Sequence, residues 1–143
     1  KLLATLLLFF FLSGIDKTGF LFAKMATTCL FPLISIVGAY IAGIVVAPIF
    51  LPWIPFRAFA LKGAIWGAVS LLLLSLFFTV STLEIISMGF ISISIASFMM
   101  MNFTGSSTYT SLSGVKKEMK VAIPFQLLFA VTGLVTFIIS KLN

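Results

Sequence analysis

Long apolar runs separated by short polar connections dominate this chain. No Asp, Glu, Lys or Arg occurs in residues 25–56, 63–83, 85–115 or 121–140. These runs lack the alternation of polar and apolar positions over about ten residues that is typical of a transmembrane β-strand. About 20 apolar residues in a helix cross the hydrocarbon core of a bilayer, which is about 30 Å thick. The pattern therefore predicts helices, since a spanning segment must satisfy its backbone hydrogen bonds internally.

The predicted fold class is all-α: a polytopic helical membrane bundle with about five transmembrane helices in one domain, residues 1–143. Two prolines in the 52–61 connection exclude a continuous helix there. The turn at 81–84 is short, so the third and fourth helices are expected to form an antiparallel hairpin, with Thr82 as N-cap of the fourth. The five predicted helices cover residues 1–13, 24–51, 62–83, 85–103 and 120–141.

The first apolar run has two interpretations. Residues 2–12 are apolar, follow Lys1 and precede Ser13-Gly14, an arrangement that also describes a secretory signal peptide. The interpretation we favour is the end of a truncated spanning helix, because the chain starts with Lys, at the edge of the run.

Charge sets the expected orientation in the membrane. Only 8% of residues are charged, and nine of them are Lys or Arg. Five spans place the N-terminal side and the 52–61 and 104–120 connections on one face. That face carries Lys1, Arg57, Lys62, Lys116, Lys117 and Lys120, whereas the other carries Lys17, Lys24 and Lys141. The positive-inside rule predicts that the first face is cytoplasmic. We expect a multi-pass protein of the inner (cytoplasmic) membrane, with the lipid bilayer as a partner and no nucleic acid.

Small residues spaced four apart predict where helices approach closely, because lipid is as apolar as Leu and gives no hydrophobic drive for association. We expect a seam between the second and third helices, either within one chain or between two. Pro32 and Pro48 are expected to kink or end the second helix locally. The small residues are Ser35, Ala39, Gly43 and Ala47 in the second helix, and Gly63, Ala64, Gly67 and Ala68 in the third.

Catalytic chemistry has few candidate residues in this sequence. The chain has no His, and its single cysteine, Cys29, is expected to be a small buried hydrophobe. Asp16 and Glu84 fall in predicted connections, and Glu118 falls in a basic run. Paired carboxylates and nucleophile–base pairs are absent from the sequence, so we predict no catalytic, cofactor-binding or metal-binding residue.

The stretch 101–120 is the polar exception in this apolar chain. Its hydroxyls, backbone N–H groups and lysines are able to hold an anionic group, or they form a solvated loop that meets lipid headgroups. From the residues alone the solvated loop is the favoured interpretation, and the alternative is a docking or anion-contact surface in which the 52–62 connection takes part. Its candidate residues are Arg57, Lys62, Asn102, Thr104, Gly105, Ser106, Ser107, Thr108, Tyr109, Thr110, Lys116, Lys117 and Lys120.

Three stretches together resemble the C-terminal membrane domain of the mercury-methylating corrinoid protein family. They read MNFTGSSTYTSLSGVKKEMKVAIP at 101–124, WIPFRAFALKG at 53–63 and LLFFFLSG at 7–14. The resemblance covers nearly the whole chain in order. Phe56, Leu112 and Lys116 depart from the family's usual residues, which leaves room for another methyl acceptor.

The resemblance implies a membrane-anchoring domain of a corrinoid-dependent methyltransferase. In that family a cytoplasmic corrinoid (cobalamin) domain transfers a methyl group to Hg(II), and a ferredoxin-like iron–sulfur partner in the same anaerobes reduces the corrinoid again. The cobalt-ligating Cys motif of that soluble domain does not occur here, and Cys29 has the wrong neighbours for it. This chain then resembles the membrane half alone, which would dock the missing soluble domain.

Two alternatives belong to other classes of function. One is a small membrane transporter or channel, and the other is a stand-alone membrane assembly subunit whose small-residue ridges mediate oligomerisation. The polar residues expected to line a transport path are Asn102, Ser87, Ser92, Ser94 and Ser97.

Overall fold

The computed structural model describes residues 2–13, 15–16, 19–20, 29–53, 58–105 and 112–142. Within these ranges the regular structure is helical, apart from a two-residue antiparallel pairing of β1 (Ile15–Asp16) with β2 (Gly19–Phe20). The all-α class predicted from the sequence is confirmed. The described helices are α1 (Leu2–Ser13), α2 (Leu30–Ile49), α3 (Phe59–Ser75), α4 (Thr82–Gly105) and α5 (Leu112–Leu142).

Three of the described helices are long and apolar enough to cross a membrane, judged by length and composition. The candidate spans are Leu30–Ile49 in α2, Thr82–Asn102 in α4 and Lys116–Leu142 in α5. Helices α1 and α3 are apolar but shorter, with 12 and 17 residues. Apolar membrane-type helices are therefore present, while a bundle of five spans remains a prediction.

Helix α4 lies at the centre of the bundle and packs against α2, α3 and α5. Its side chains Met88 and Met100 are fully buried. The main apolar cluster joins α4 to its neighbours through Ile36 of α2, Leu71 of α3 and Phe137 of α5. Helix α1 contributes Phe9 to the same cluster, where its ring centroid lies 5.3 Å from that of Phe137. The uncharged runs before and after α4 in the sequence, 63–83 and 121–140, thus form helices that pack against α4.

The expected small-residue seam exists within the chain, but its centre is α4. A Cβ atom on Gly43 of α2 would lie 2.7 Å from the carbonyl oxygen of Ala96, and one on Gly63 of α3 would lie 2.6 Å from the same oxygen. A Cβ on Gly67 would meet the carbonyl oxygen of Ser92 at 2.6 Å. The prediction that α2 and α3 pair through these positions was therefore incomplete, because both ridges close on the backbone of α4.

Helix α3 ends at Ser75, eight residues before the predicted end at residue 83. The apolar run continues beyond Ser75, but residues 78–81 are not helical. Phe78 in this stretch packs its ring 5.6 Å from that of Phe31 at the start of α2. The predicted end of this helix was wrong because hydrophobicity alone does not distinguish the last turns of a helix from a nonhelical segment with partly buried apolar side chains.

Ser81, and not Thr82, caps α4. Its hydroxyl accepts a hydrogen bond of 3.3 Å from the backbone N–H of Glu84, and its carbonyl accepts one of 3.1 Å from Ile85. Ser81 and Glu84 stand in the Ser-x-x-Glu spacing of a capping box, which satisfies N–H groups at a helix start. The predicted cap was thus wrong by one residue, and Glu84 belongs to the first turn of α4 rather than to a connection.

The other helix limits also differ from the predicted ones. Helix α5 begins at Leu112 rather than at residue 120, so Pro124 stands about three turns into the helix rather than near its start. The described part of α2 begins at Leu30, since residues 24–28 lie outside the described ranges. Its segment Ala42–Val46 is a π-helix, and Pro48 stands in the last turn before the helix ends at Ile49. The predicted effect of Pro48 on the end of α2 agrees with this geometry.

The described helices α2 to α5 alternate in direction, so their termini collect at two ends of the bundle. At one end the start of α2 meets the 76–81 connection, and Ser81 lies 3.3 Å from Ser140 between their hydroxyl oxygens. At the opposite end, Lys62 near the start of α3 contacts Leu51, which follows α2. We call this second end the basic end, because it also carries the lysines at the start of α5.

Candidate functional site

The basic end is held together by two hydrogen bonds between segments that are remote in sequence. The backbone N–H of Ala60 donates to Oε1 of Glu118 over 2.7 Å. The Nζ atom of Lys62 donates to the carbonyl oxygen of Leu51 over 2.9 Å. These bonds join the segment after α2, the first turn of α3 and the first turns of α5 into one polar cluster.

Glu118 acts as a cap for α3 from another helix. The residue at the N-cap position of α3 is Ala58, which has no side-chain oxygen to accept from the first turn. The carboxylate of Glu118 takes this place at Ala60, and its negative charge interacts favourably with the N-terminal end of the helix dipole. The sequence had placed Glu118 in a basic connection, but the structure places it within α5.

Replacing Glu118 by leucine is expected to lower the free energy of unfolding by about 1–3 kcal/mol, because the partly buried N–H of Ala60 loses its acceptor. The Glu118→Gln variant keeps an acceptor oxygen and should lose less. Chemical denaturation in mild detergent, followed by circular dichroism, measures both variants. Equal losses in the two variants would contradict a capping role.

Lys62, predicted as a docking residue, is buried. Its ammonium group donates a hydrogen bond to the carbonyl oxygen of Leu51, which follows the C-terminus of α2. The same ammonium group lies 5.9 Å from the ring centroid of Phe59. The ammonium group of Lys62 thus interacts with groups of the same chain, and Lys62 contributes little to an exposed contact surface.

The other predicted contact residues divide into three groups. Asn102 is exposed in the last turns of α4, and its amide nitrogen donates to the carbonyl of Phe98 over 3.0 Å. Thr104 and Gly105 complete α4. Lys116, Lys117 and Lys120 are exposed on α5. Outside the described residues lie Arg57, Ser106, Ser107, Thr108, Tyr109 and Thr110.

A polar cluster in the middle of the bundle was not predicted. The hydroxyl of Ser94 donates to the carbonyl oxygen of Gln126 over 2.8 Å, and Nε2 of Gln126 donates to the hydroxyl of Ser97 over 2.8 Å. Oε1 of Gln126 is buried and has no hydrogen-bond partner. The available signal was Gln126 itself, a polar residue within the uncharged run 121–140. These bonds tie α4 to α5 where lipid offers no competing partner.

The serines proposed for a transport path face different neighbours. Ser94 and Ser97 meet Gln126 of α5, whereas the carbonyl of Ser92 is the closest approach to Gly67 of α3. Ser87 donates to the carbonyl of Glu84 within its own helix. These serines therefore take part in helix packing on two different sides of α4, rather than lying along one common face.

An ion pair stands at the end opposite the basic end. Nζ of Lys141 lies 3.0 Å from Oε1 of Glu84, and their side chains are 9% and 10% exposed. The ammonium group also lies 5.2 Å from the ring centroid of Phe137. This pair links the first turn of α4 to the last turn of α5, a structural role for Glu84 that the sequence did not indicate.

No group of three or more His, Cys, Asp or Glu side chains in the described ranges is arranged to hold a metal ion. Cys29 is buried at the start of α2, as expected for a small hydrophobe.

Comparison of the sequence and structure with known protein families, curated proteins and solved structures finds no match.

Proposed function

We propose that this chain is the membrane domain of a corrinoid-dependent methyltransferase similar to the mercury-methylation family, and that its basic end docks the cytoplasmic corrinoid domain. One observation carries the proposal. The two stretches with the most specific resemblance, 53–63 and 101–124, meet in the structure through the hydrogen bond from Ala60 to Glu118. Segments that share a function are expected to meet at one site, although they are remote in sequence.

The proposal includes five spans with the basic end on the cytoplasmic side. Helix α3 has 17 residues, at the lower limit for crossing the hydrocarbon core, and α1 packs beside α5 as a fifth apolar helix. Six of the nine Lys and Arg residues in the sequence fall on the face that the charge pattern assigns to the cytoplasm, which favours this orientation.

Docking would use the exposed cations and polar groups of the basic end. Lys116, Lys117 and Lys120 attract an anionic protein surface or the anionic tail of a corrinoid, and Asn102 adds hydrogen-bonding capacity. The corrinoid and its cobalt ligand would belong to the soluble domain. In this role the chain positions the methyl donor at the membrane and carries out no bond-making step itself.

Replacing residues 104–110 by a neutral Gly/Ser linker of equal length in the full-length gene product should remove most of its Hg(II) methylation. The reason is loss of the Thr and Tyr hydroxyl groups that the sequence assigns to the docking surface, while α4 up to Phe103 and all of α5 remain. Methylmercury formation in membranes, normalised to protein abundance, measures the effect. A matched control, Ser75→Gly with Thr79→Gly, alters a half-buried and an exposed hydroxyl at the opposite end and should keep full activity. Unchanged methylation by the linker variant at equal abundance would refute docking at this loop.

A further inference from the structure

A half-open crevice of about 430 Å³ lies between α3, α4 and α5. Its walls begin at Ala60 and Glu118, in the basic end, and extend to Ile93 and Phe129. Glu118 and Phe129 are eleven residues apart on α5, which corresponds to about 16 Å along the helix axis. This depth is about half of a hydrocarbon core about 30 Å thick, that is, one leaflet of a bilayer.

The surface of the crevice is apolar. The crevice is open where small alanine side chains line it, at positions 60, 64 and 122, and Phe125 and Phe129 form part of its wall. The polar wall residues already interact with protein atoms or are covered by them: Glu118 binds the N–H of Ala60, and Oε1 of Gln126 is buried from the surface. The interior therefore suits a hydrocarbon occupant rather than an ion or a sugar.

The mouth of the crevice is positively charged. Lys117 is exposed one helical turn before the wall residue Val121, and Lys116 and Lys120 are exposed on the same helix. The carboxylate of Glu118 faces the N-terminus of α3, which offsets its negative charge. An anionic headgroup at this depth would gain about 1 kcal/mol from each nearby lysine.

We propose that this crevice binds one acyl chain of an anionic phospholipid from the leaflet at the basic end, with the headgroup at Lys117. The crevice, with a volume of about 430 Å³, is too small for a helix of a second copy. Such a helix, about 10–12 Å in diameter with its side chains, would displace about 1,200 Å³ or more over about 16 Å. The inference requires a bilayer around the helices and does not depend on a corrinoid domain.

Phospholipid retained by the chain after purification in mild detergent tests the proposal, with native mass spectrometry as the measurement. The wild-type chain should retain one anionic phospholipid, and Ala122→Phe, which fills the crevice, should lose it. The matched control Val131→Phe adds the same ring on an exposed face of α5 and should retain the lipid. Retention by a folded Ala122→Phe chain would overturn the proposal, as would a dimer that this substitution dissociates.

The headgroup position is tested by lysine substitutions. Lys117→Ala should lower the preference for anionic over zwitterionic phospholipid about fivefold, the equivalent of about 1 kcal/mol. Lys116→Ala, one residue earlier on a different side of the same helix, should change it less. Equal losses in the two variants would assign the attraction to the whole helix end and overturn the assignment to this crevice.

A fluorescence measurement keeps the proposal testable if Ala122→Phe does not fold. Phe125 is 60% exposed in the wall, so Phe125→Trp, in a background with Trp53→Phe and Trp66→Phe, places the sole tryptophan reporter there with little strain. Brominated anionic phospholipids in vesicles should quench it more than brominated zwitterionic ones at the same mole fraction. Val131→Trp, away from the crevice, should show no such difference. Equal quenching by both lipids at position 125 would overturn the proposal.

Discussion

Substitution of Gly63 by alanine is expected to lower the free energy of unfolding by about 1–3 kcal/mol. The new Cβ would lie 2.6 Å from the carbonyl oxygen of Ala96 and 2.8 Å from Cα of Ser97. Both are backbone atoms of α4 and cannot rotate away, so α3 and α4 must separate along their whole contact. Unfolding by steric trapping in bicelles measures the loss without requiring the helices to leave the lipid environment.

The matched control is Gly89→Ala, in the same pair of helices. Its Cβ would meet Cδ2 of Leu71 at 3.3 Å, the far end of a flexible side chain that is able to shift. Alanine also has a higher intrinsic helix propensity than glycine by about 1 kcal/mol, so this variant should be close to neutral. A loss at Gly89 as large as that at Gly63 would show that close backbone approach is not what the seam requires.

The glycine positions were predictable, and their common partner was not. Small residues four apart are visible in the sequence because a helix places them on one ridge. The opposing surface on α4 consists of Ala96 and the backbone carbonyl groups around it, and a carbonyl group carries no sequence signal. Two ridges on different helices can therefore be identified without knowing that both close on a third helix.

The candidate site shows the same limit. The lysines at 116, 117 and 120 were expected to be exposed, and they are, because charges beside an apolar run extend into water. The roles of Lys62 and Glu118 depend on Leu51 and Ala60, whose backbone groups come near only after the helices have packed. A local pattern thus indicates where charge is available, whereas tertiary packing decides which charges are used inside the protein.

Removing Lys141 alone should destabilise the protein more than removing the whole Glu84–Lys141 pair. In Lys141→Met, the carboxylate of Glu84 stays buried without its 3.0 Å partner, and such a loss costs about 3–5 kcal/mol. The double variant Glu84→Met with Lys141→Met replaces the pair by apolar side chains and should recover most of that loss. Free energies of unfolding for the four proteins of this double-mutant cycle give the coupling directly.

The two single variants should also differ from each other. In Glu84→Met, the ammonium group of Lys141 keeps the ring of Phe137 at 5.2 Å and reaches water through its long side chain, so the loss should be smaller. Ser140→Ala is the control at the same end, because it removes an exposed 3.3 Å contact to Ser81 and should cost less than about 0.5 kcal/mol. Small, additive losses in both single variants would identify the pair as a surface ion pair, worth about 0–1 kcal/mol. A loss of stability confined to Lys141→Met would instead show that the buried carboxylate of Glu84 is the member of the pair that requires an ionic partner.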